Sequence, residues 1–189
     1  LLVSSPDLKL SLGTTAVTLL DIADIITRGA TANGAVIDLC SLLYGIKSMA
    51  DSYPFRNASL RRNIHICINK IIPNLCDVNA LPVALTHQDL SPFNYLVNES
   101  TGRVQAVLDW DGAVYLTIGS NFHFVEDLWG YMTPRGWEDT EDRQELEAAF
   151  YARVSSNLAV QGFPGVTKER LEVLKAIGML DHYLKRLSR

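Results

Sequence analysis

Apolar residues recur at helical spacing through most of this chain and at strand spacing only in its middle. Val36, Leu39, Cys40, Leu43 and Ile46 lie three or four apart, which predicts a helix from about Val36 to Ala50. Tyr53-Pro54 stops it, because proline disfavours a helical residue before it. Leu60, Ile64, Cys67, Ile68, Ile71 and Leu75 form a second stripe, from about Ser59 to Leu75, with Pro73 disturbing its last turn. Both stripes read as core-facing. Upstream, Val17 to Ile26 reads as a short helix with Asp21 and Asp24 toward water. Residues 29–34, Gly-Ala-Thr-Ala-Asn-Gly, read as a loop.

The middle changes period. Val83–Thr86, Tyr95–Asn98 and Val104–Leu108 read as short strands, and the polar turn Glu99–Gly102 joins the last two into a hairpin. Helix then returns. Glu138, Asp139, Glu141 and Asp142 gather where a helix would begin, since carboxylates suit its positive end. Leu146, Ala149, Phe150 and Val154 follow as an apolar face. Gly162-Phe-Pro-Gly165 breaks the pattern. Thr167 is placed to cap a last helix carrying Leu171, Leu174, Leu180, Leu184 and Leu187. Trp129, Tyr131 and Trp137 read as packing residues, and Glu126-Asp127 as a solvated helix start. The expected fold class is mainly α with a small β-hairpin.

Composition works by exclusion. A chain of 189 residues, 48% of them hydrophobic, suits one domain or one large lobe with a real core. A net charge of −4 with no basic run argues against nucleic acid as a partner. No apolar run approaches the ~20 residues of a membrane span, so no membrane partner is expected. Cys40, Cys67 and Cys76 form no CxxC pair, which suits a reducing, cytoplasmic setting, with each thiol a small buried group. His65, His87, His123 and His182 are scattered, without zinc-site spacing.

The chemistry gathers between residues 87 and 111. Thr86-His-Gln-Asp-Leu-Ser-Pro-Phe-Asn94 fits H-x-D-x-x-x-x-N, and Val107-Leu-Asp-Trp-Asp111 follows the hairpin. Phosphoryl transfer calls for such a set: one carboxylate to orient the attacking hydroxyl and further oxygens to hold Mg²⁺ on the triphosphate. Asp89 is placed to be that base. Asn94 can return from the far end of the loop, and Asp109 arrives at the end of the next strand. A divalent-metal hydrolase using the same acids would need more ligands and finds no histidine-rich set.

These motifs resemble the aminoglycoside phosphotransferase and choline kinase-like family, of protein-kinase-like fold. Asp-Leu-Ser-Pro, without lysine two positions after Asp89, is similar to that family rather than to protein kinases, and Leu108-Asp-Trp-Asp111 resembles its metal-binding segment. Residues 112–151 look like its fungal members. The resemblance implies Asp89 as the catalytic base, and Asn94 and Asp109 on Mg²⁺. His87 would be a structural brace of the loop and Asp111 an accessory acid near the metals, the two making up the expected cofactor-binding set. ATP and a small-molecule hydroxyl acceptor are the implied partners. Residues 36–189 would form the C-terminal lobe, after an N-terminal segment, 1–35, of unassigned role.

The family's N-terminal lobe carries a phosphate-covering loop and a paired lysine. No Gly-rich phosphate loop stands before residue 87, and Lys9, Lys47 and Lys70 sit in no matching context. The chain therefore reads as lacking part of the ATP clamp, with a surface left open to self-association. The rival expectation is a catalytically inactive, kinase-like scaffold or a gene fragment. Family likeness does not name the acceptor.

Overall fold

The computed structural model describes residues 17–31, 38–78 and 80–187. It is mainly helical, with three small antiparallel pairs of strands. In chain order come α1 (17–27), α2 (Leu39–Ser52), α3 (Ala58–Ile71) and α4 (Leu75–Val78). Strands β1 (Val83–Thr86), β2 (Tyr95–Val97), β3 (Val104–Val107) and β4 (Val114–Thr117) follow. A 3₁₀ helix (Phe122–Leu128) leads to β5 (Gly130–Thr133) and β6 (Gly136–Asp139). Helices α5 (Arg143–Val160) and α6 (Lys168–Leu187) close the chain.

Local chemistry sets the boundaries. Asp38 Oδ1 accepts from the amides of Cys40 and Ser41 at 3.1 Å each, capping α2. Tyr53, extended at ψ 129, ends that helix before Pro54. Asn57 caps α3 through the amides of Ser59 and Leu60. Proline at position 73 turns the chain into a 3₁₀ turn, Ile72–Asn74, so α3 stops at Ile71 rather than Leu75. Its stripe also narrows: Ile64, Ile68 and Ile71 are buried, while Leu60 is exposed. Cys40 and Cys67 are exposed as well, against the expectation of buried thiols. Both lie on faces that α2 and α3 turn away from the core. The Cys76 side chain, Val36 and residues 32–34 of the expected loop lie outside the described residues.

Helix α6 is the packing centre. It meets α2, α3, α4, α5 and the 3₁₀ helix, with Leu171, Leu174, Ile177, Leu180 and Leu184 buried. An aromatic cluster seats the 3₁₀ helix on α5: the Phe150 ring lies 5.3 Å from Phe122 and 6.0 Å from Trp129. Trp129 is core, as expected, whereas Tyr131 and Trp137 are exposed on the β5–β6 hairpin. That hairpin takes up Glu138 and Asp139, so α5 begins only at Arg143. Gly136, at φ +121, makes its turn.

Asp21 does not face water, and the partly exposed Asp24 is engaged by side chains of α5. Asp21 is buried, accepts from the Val104 amide at 2.9 Å and pairs with Arg103 at 3.0 Å. Asp24 takes a two-pronged bond from Arg153, at 2.6 and 2.8 Å, and a third from Asn157. The Arg153 bond holds its carboxyl below the usual carboxylate range, ahead of an opposing push from burial. These contacts fasten α1 to the β2–β3 hairpin on one side and to α5 on the other. Asp24→Asn is expected to loosen α1. Amide exchange over 17–27 should quicken while exchange in α6 stays as it was; equal exchange in both proteins would deny the anchor.

Candidate active site

Two strand pairings bring the sequence motifs together. Thr86, the last residue of β1, pairs with Val114, the first of β4. Tyr95, the first of β2, pairs with Val107, the last of β3. Residues 87–94 and 108–113 therefore leave the two ladders at a common end. The Leu108 amide donates to Asn94 O at 2.7 Å, tying one loop to the other.

His87 sits buried between them. The Asp89 amide donates to its Nδ1 at 3.1 Å. An amide can only donate, so Nδ1 is the acceptor and Nε2 carries the proton. Nε2–H then donates to Leu108 O at 2.8 Å. Both nitrogens are used, and the neutral ring holds the two loops in place. Trp110 covers it edge-on, with ring centroids 5.1 Å apart, and its own Nε1–H donates to Val107 O. Asn121 Nδ2 donates to His87 O and pins the approach to the 3₁₀ helix beneath.

Asn94 Nδ2 donates to Asp89 O at 2.6 Å, which commits the nitrogen end of the amide and leaves its oxygen end unused. Asp109 has φ +54, the only described residue other than glycine in the left-handed region. Aspartate tolerates that conformation better than most side chains, and Gly112, at φ +74, completes the reversal into β4. Asp89, Asp109 and Asp111 are exposed. Among the described residues none of these three carboxylates takes a hydrogen bond or an ion pair. No three His, Cys, Asp or Glu side chains among those residues converge as a metal cage of their own.

This arrangement is two short loops with free oxygen groups, locked by a neutral histidine. The sequence model of the phosphotransferase enzyme family matches residues 56–154, just over half of the chain. The chain belongs to this family. Comparison with curated proteins gives no match. Membership carries phosphotransferase chemistry in general, and the matched span holds both loops, the strands that frame them and the 3₁₀ helix.

Periodicity missed that 3₁₀ helix, and with it the wall it presents beside His87. Asp127 lies within electrostatic reach of Asp89, and burial, then Glu126, then Asp89 raise its carboxyl above the usual range. Glu126 is no solvated helix start: it accepts from Lys175 at 2.7 Å and from Arg143 at 2.9 Å. His123 lies 4.8 Å, centroid to centroid, from His182 on α6. Residues 59 apart in sequence give no spacing signal for such a pair.

Proposed function

We propose that this protein carries the catalytic half of an enzyme that transfers the γ-phosphoryl group of ATP to a hydroxyl of a small molecule, with Asp89 as the base. The observation that carries the proposal is the common end of the two ladders, where the Asp89 and Asp109 carboxylates and the Asn94 side-chain oxygen stand without protein partners among the described residues, on a frame held by His87. Asp89 accepts the proton of the attacking hydroxyl and orients its lone pair for in-line displacement on phosphorus. The leaving group is ADP, and no covalent enzyme intermediate forms.

The donor set fits Mg²⁺. The ion prefers hard oxygens and takes one or two from protein, with phosphate and water filling the shell. Asn94 and Asp109 supply an amide oxygen and a carboxylate, and Asp111 adds negative charge beside them. Bound there, the ion would neutralise charge on the phosphates. Residues 36–189 then correspond to the C-terminal lobe of a protein-kinase-like fold, with 87–94 as its catalytic loop and 107–111 as its metal-binding segment.

The test is direct. Mg·ATP is incubated with the protein and a panel of small alcohols, amino alcohols and sugars, followed by ³¹P NMR. A phosphate monoester resonance growing with ADP supports the reading; hydrolysis to inorganic phosphate alone, whatever the acceptor, opposes it. Asp109→Asn keeps the left-handed tolerance and removes the charge. It is expected to weaken Mg²⁺-dependent ATP binding roughly 10-fold or more, about 1.4 kcal/mol. Asn94→Ala should weaken it less, because a neutral amide attracts the ion less. Equal affinity for Asp109→Asn and parent, by calorimetry, would remove Asp109 from the ligand set.

A further inference from the structure

Between Asp51 and Asp77 the chain holds Arg56, Arg61, Arg62 and Lys70 and no acidic residue. All four cations are exposed, and among the described residues none of their side chains has an ion pair or a hydrogen bond. Arg103, Arg143, Arg153 and Lys175, by contrast, each pair with a carboxylate of another element. Asp51, beside α3 on α2, is already held by Lys47 at 2.6 Å, with His65 at 3.7 Å.

Apolar groups share this surface. Ile64, Ile68 and Ile71 bury one side of α3. Arg62, Ile66 and Lys70, spaced by four, form a row about 12 Å long on the opposite side. Ile66 is 44% exposed in that row. Leu60, near the start of the helix, is 44% exposed, and Ile72, just past its end, is 47% exposed. We propose that α3 is a docking face for the surface of an anionic lipid bilayer, on which the four cations meet headgroup phosphates or carboxylates while Leu60, Ile66 and Ile72 enter the headgroup layer.

Charge complementarity names the occupant. Cations gathered without acids draw negative charge, and each Lys or Arg close to an anionic leaflet adds to the attraction. A nucleic acid would serve the cations alone, because phosphate contacts need no apolar groups, and would leave three half-exposed aliphatic side chains in water. A soluble acidic polypeptide supplies the charge without an apolar layer beneath it. A bilayer surface offers both, anionic groups outermost and hydrocarbon just below. The helix lies on that surface: no helix among the described residues is long and apolar enough to cross a membrane. The net charge of −4 does not cancel the face, because at physiological salt charges beyond about 8 Å are largely screened.

The inference is independent of the phosphotransferase reading. Its test is sedimentation of the full chain with vesicles of phosphatidylcholine alone and of phosphatidylcholine with about 30% phosphatidylserine, in low and high salt. Partitioning onto the anionic vesicles should exceed that onto the neutral ones roughly 10-fold or more at low salt, and most of the difference should vanish at high salt. Arg62→Glu with Lys70→Glu should abolish the difference. Arg28→Glu with Arg135→Glu, an equal change of charge outside α3, should keep most of it. Ile66→Asn should weaken binding about 3-fold or more. These side chains are exposed, so melting temperatures should stay near the parent's; Arg62→Gln with Lys70→Gln serves if the double glutamate variant does not fold. Equal sedimentation with both vesicle types, or with neither, overturns the proposal, as does binding indifferent to Arg62→Glu with Lys70→Glu. An equal loss in the Arg28 and Arg135 pair overturns it too, since net charge alone would then govern binding. Ile66→Asn that binds like the parent contradicts entry into the headgroup layer. Capture by heparin or polyglutamate without binding to vesicles would make the partner an acidic macromolecule and overturn the bilayer.

Discussion

Asp89→Asn is expected to cut phosphoryl transfer about 10²–10⁴-fold, a barrier increase of about 3–5 kcal/mol. Mg·ATP affinity and the unfolding midpoint should stay near those of the parent. The separation of these effects comes from the local bonding. What Asp89 gives the loop is its backbone: its amide donates to His87 Nδ1 and its carbonyl accepts from Asn94. Its side chain has no partner among the described residues, so an isosteric amide removes the proposed base and leaves the frame standing. Transfer rates measured with saturating ATP and acceptor, beside thermal melts of both proteins, give the comparison. Activity within tenfold of the parent would deny Asp89 its role. A large drop in melting temperature would make the carboxylate structural.

Gly178→Ala should produce the largest loss of stability of any single methyl addition in the molecule's core. A Cβ at Gly178 would stand 1.5 Å from the carbonyl oxygen of Ser120 and 2.6 Å from its carbon. Both are backbone atoms, so no side chain can swing aside. Helix α6 would have to move off the strand-to-helix turn that leads into Asn121 and the 3₁₀ helix. Overpacking of a core commonly costs 1–3 kcal/mol, and a backbone clash belongs at or above the upper end, about 3 kcal/mol or more. For a chain of this length that corresponds to a fall in melting temperature of roughly 10 °C. Because Asn121 is bonded to the His87 carbonyl, the substitution should also loosen the loop after β1, seen as faster amide exchange at residues 87–94. A variant that melts within 2 °C or so of the parent would show that α6 has room to shift.

Helices and the central hairpin were readable because their signals are local. An Asp or Asn cap, a proline stop and a stripe of three or four buried residues each act within a turn or two, and α2, α3, α5 and α6 follow from them. The turn Glu99–Gly102 joins β2 to β3 for the same reason. What escaped the pattern is non-local or short. Strand β4 pairs with β1 across the whole hairpin, and its Val114 and Tyr115 are exposed, so no apolar alternation marks it. The acidic run at 138–142 mimics a helix start, but its first half lies in β6, where Thr133 Oγ1 donates to Glu138. Asp21 and Asp24 look like a solvated face until Arg103 and Arg153 arrive from distant elements. For the site, H-x-D-x-x-x-x-N and D-W-D marked residue types and order. That they share one end of two ladders came only from the strand register.

Residues 87–94 and 108–111 are proposed to form one metal–nucleotide site. Titration of ¹⁵N-labelled protein with Mn²⁺ and ATP, read as paramagnetic broadening, tests it most directly, because manganese favours the same hard oxygens as Mg²⁺. The Asn94 side-chain amide and the backbone amides of 109–111 should broaden first, broadening should need ATP and Mn²⁺ together, and Asp109→Asn should suppress it. Broadening centred elsewhere, or unaltered by Asp109→Asn, would contradict it.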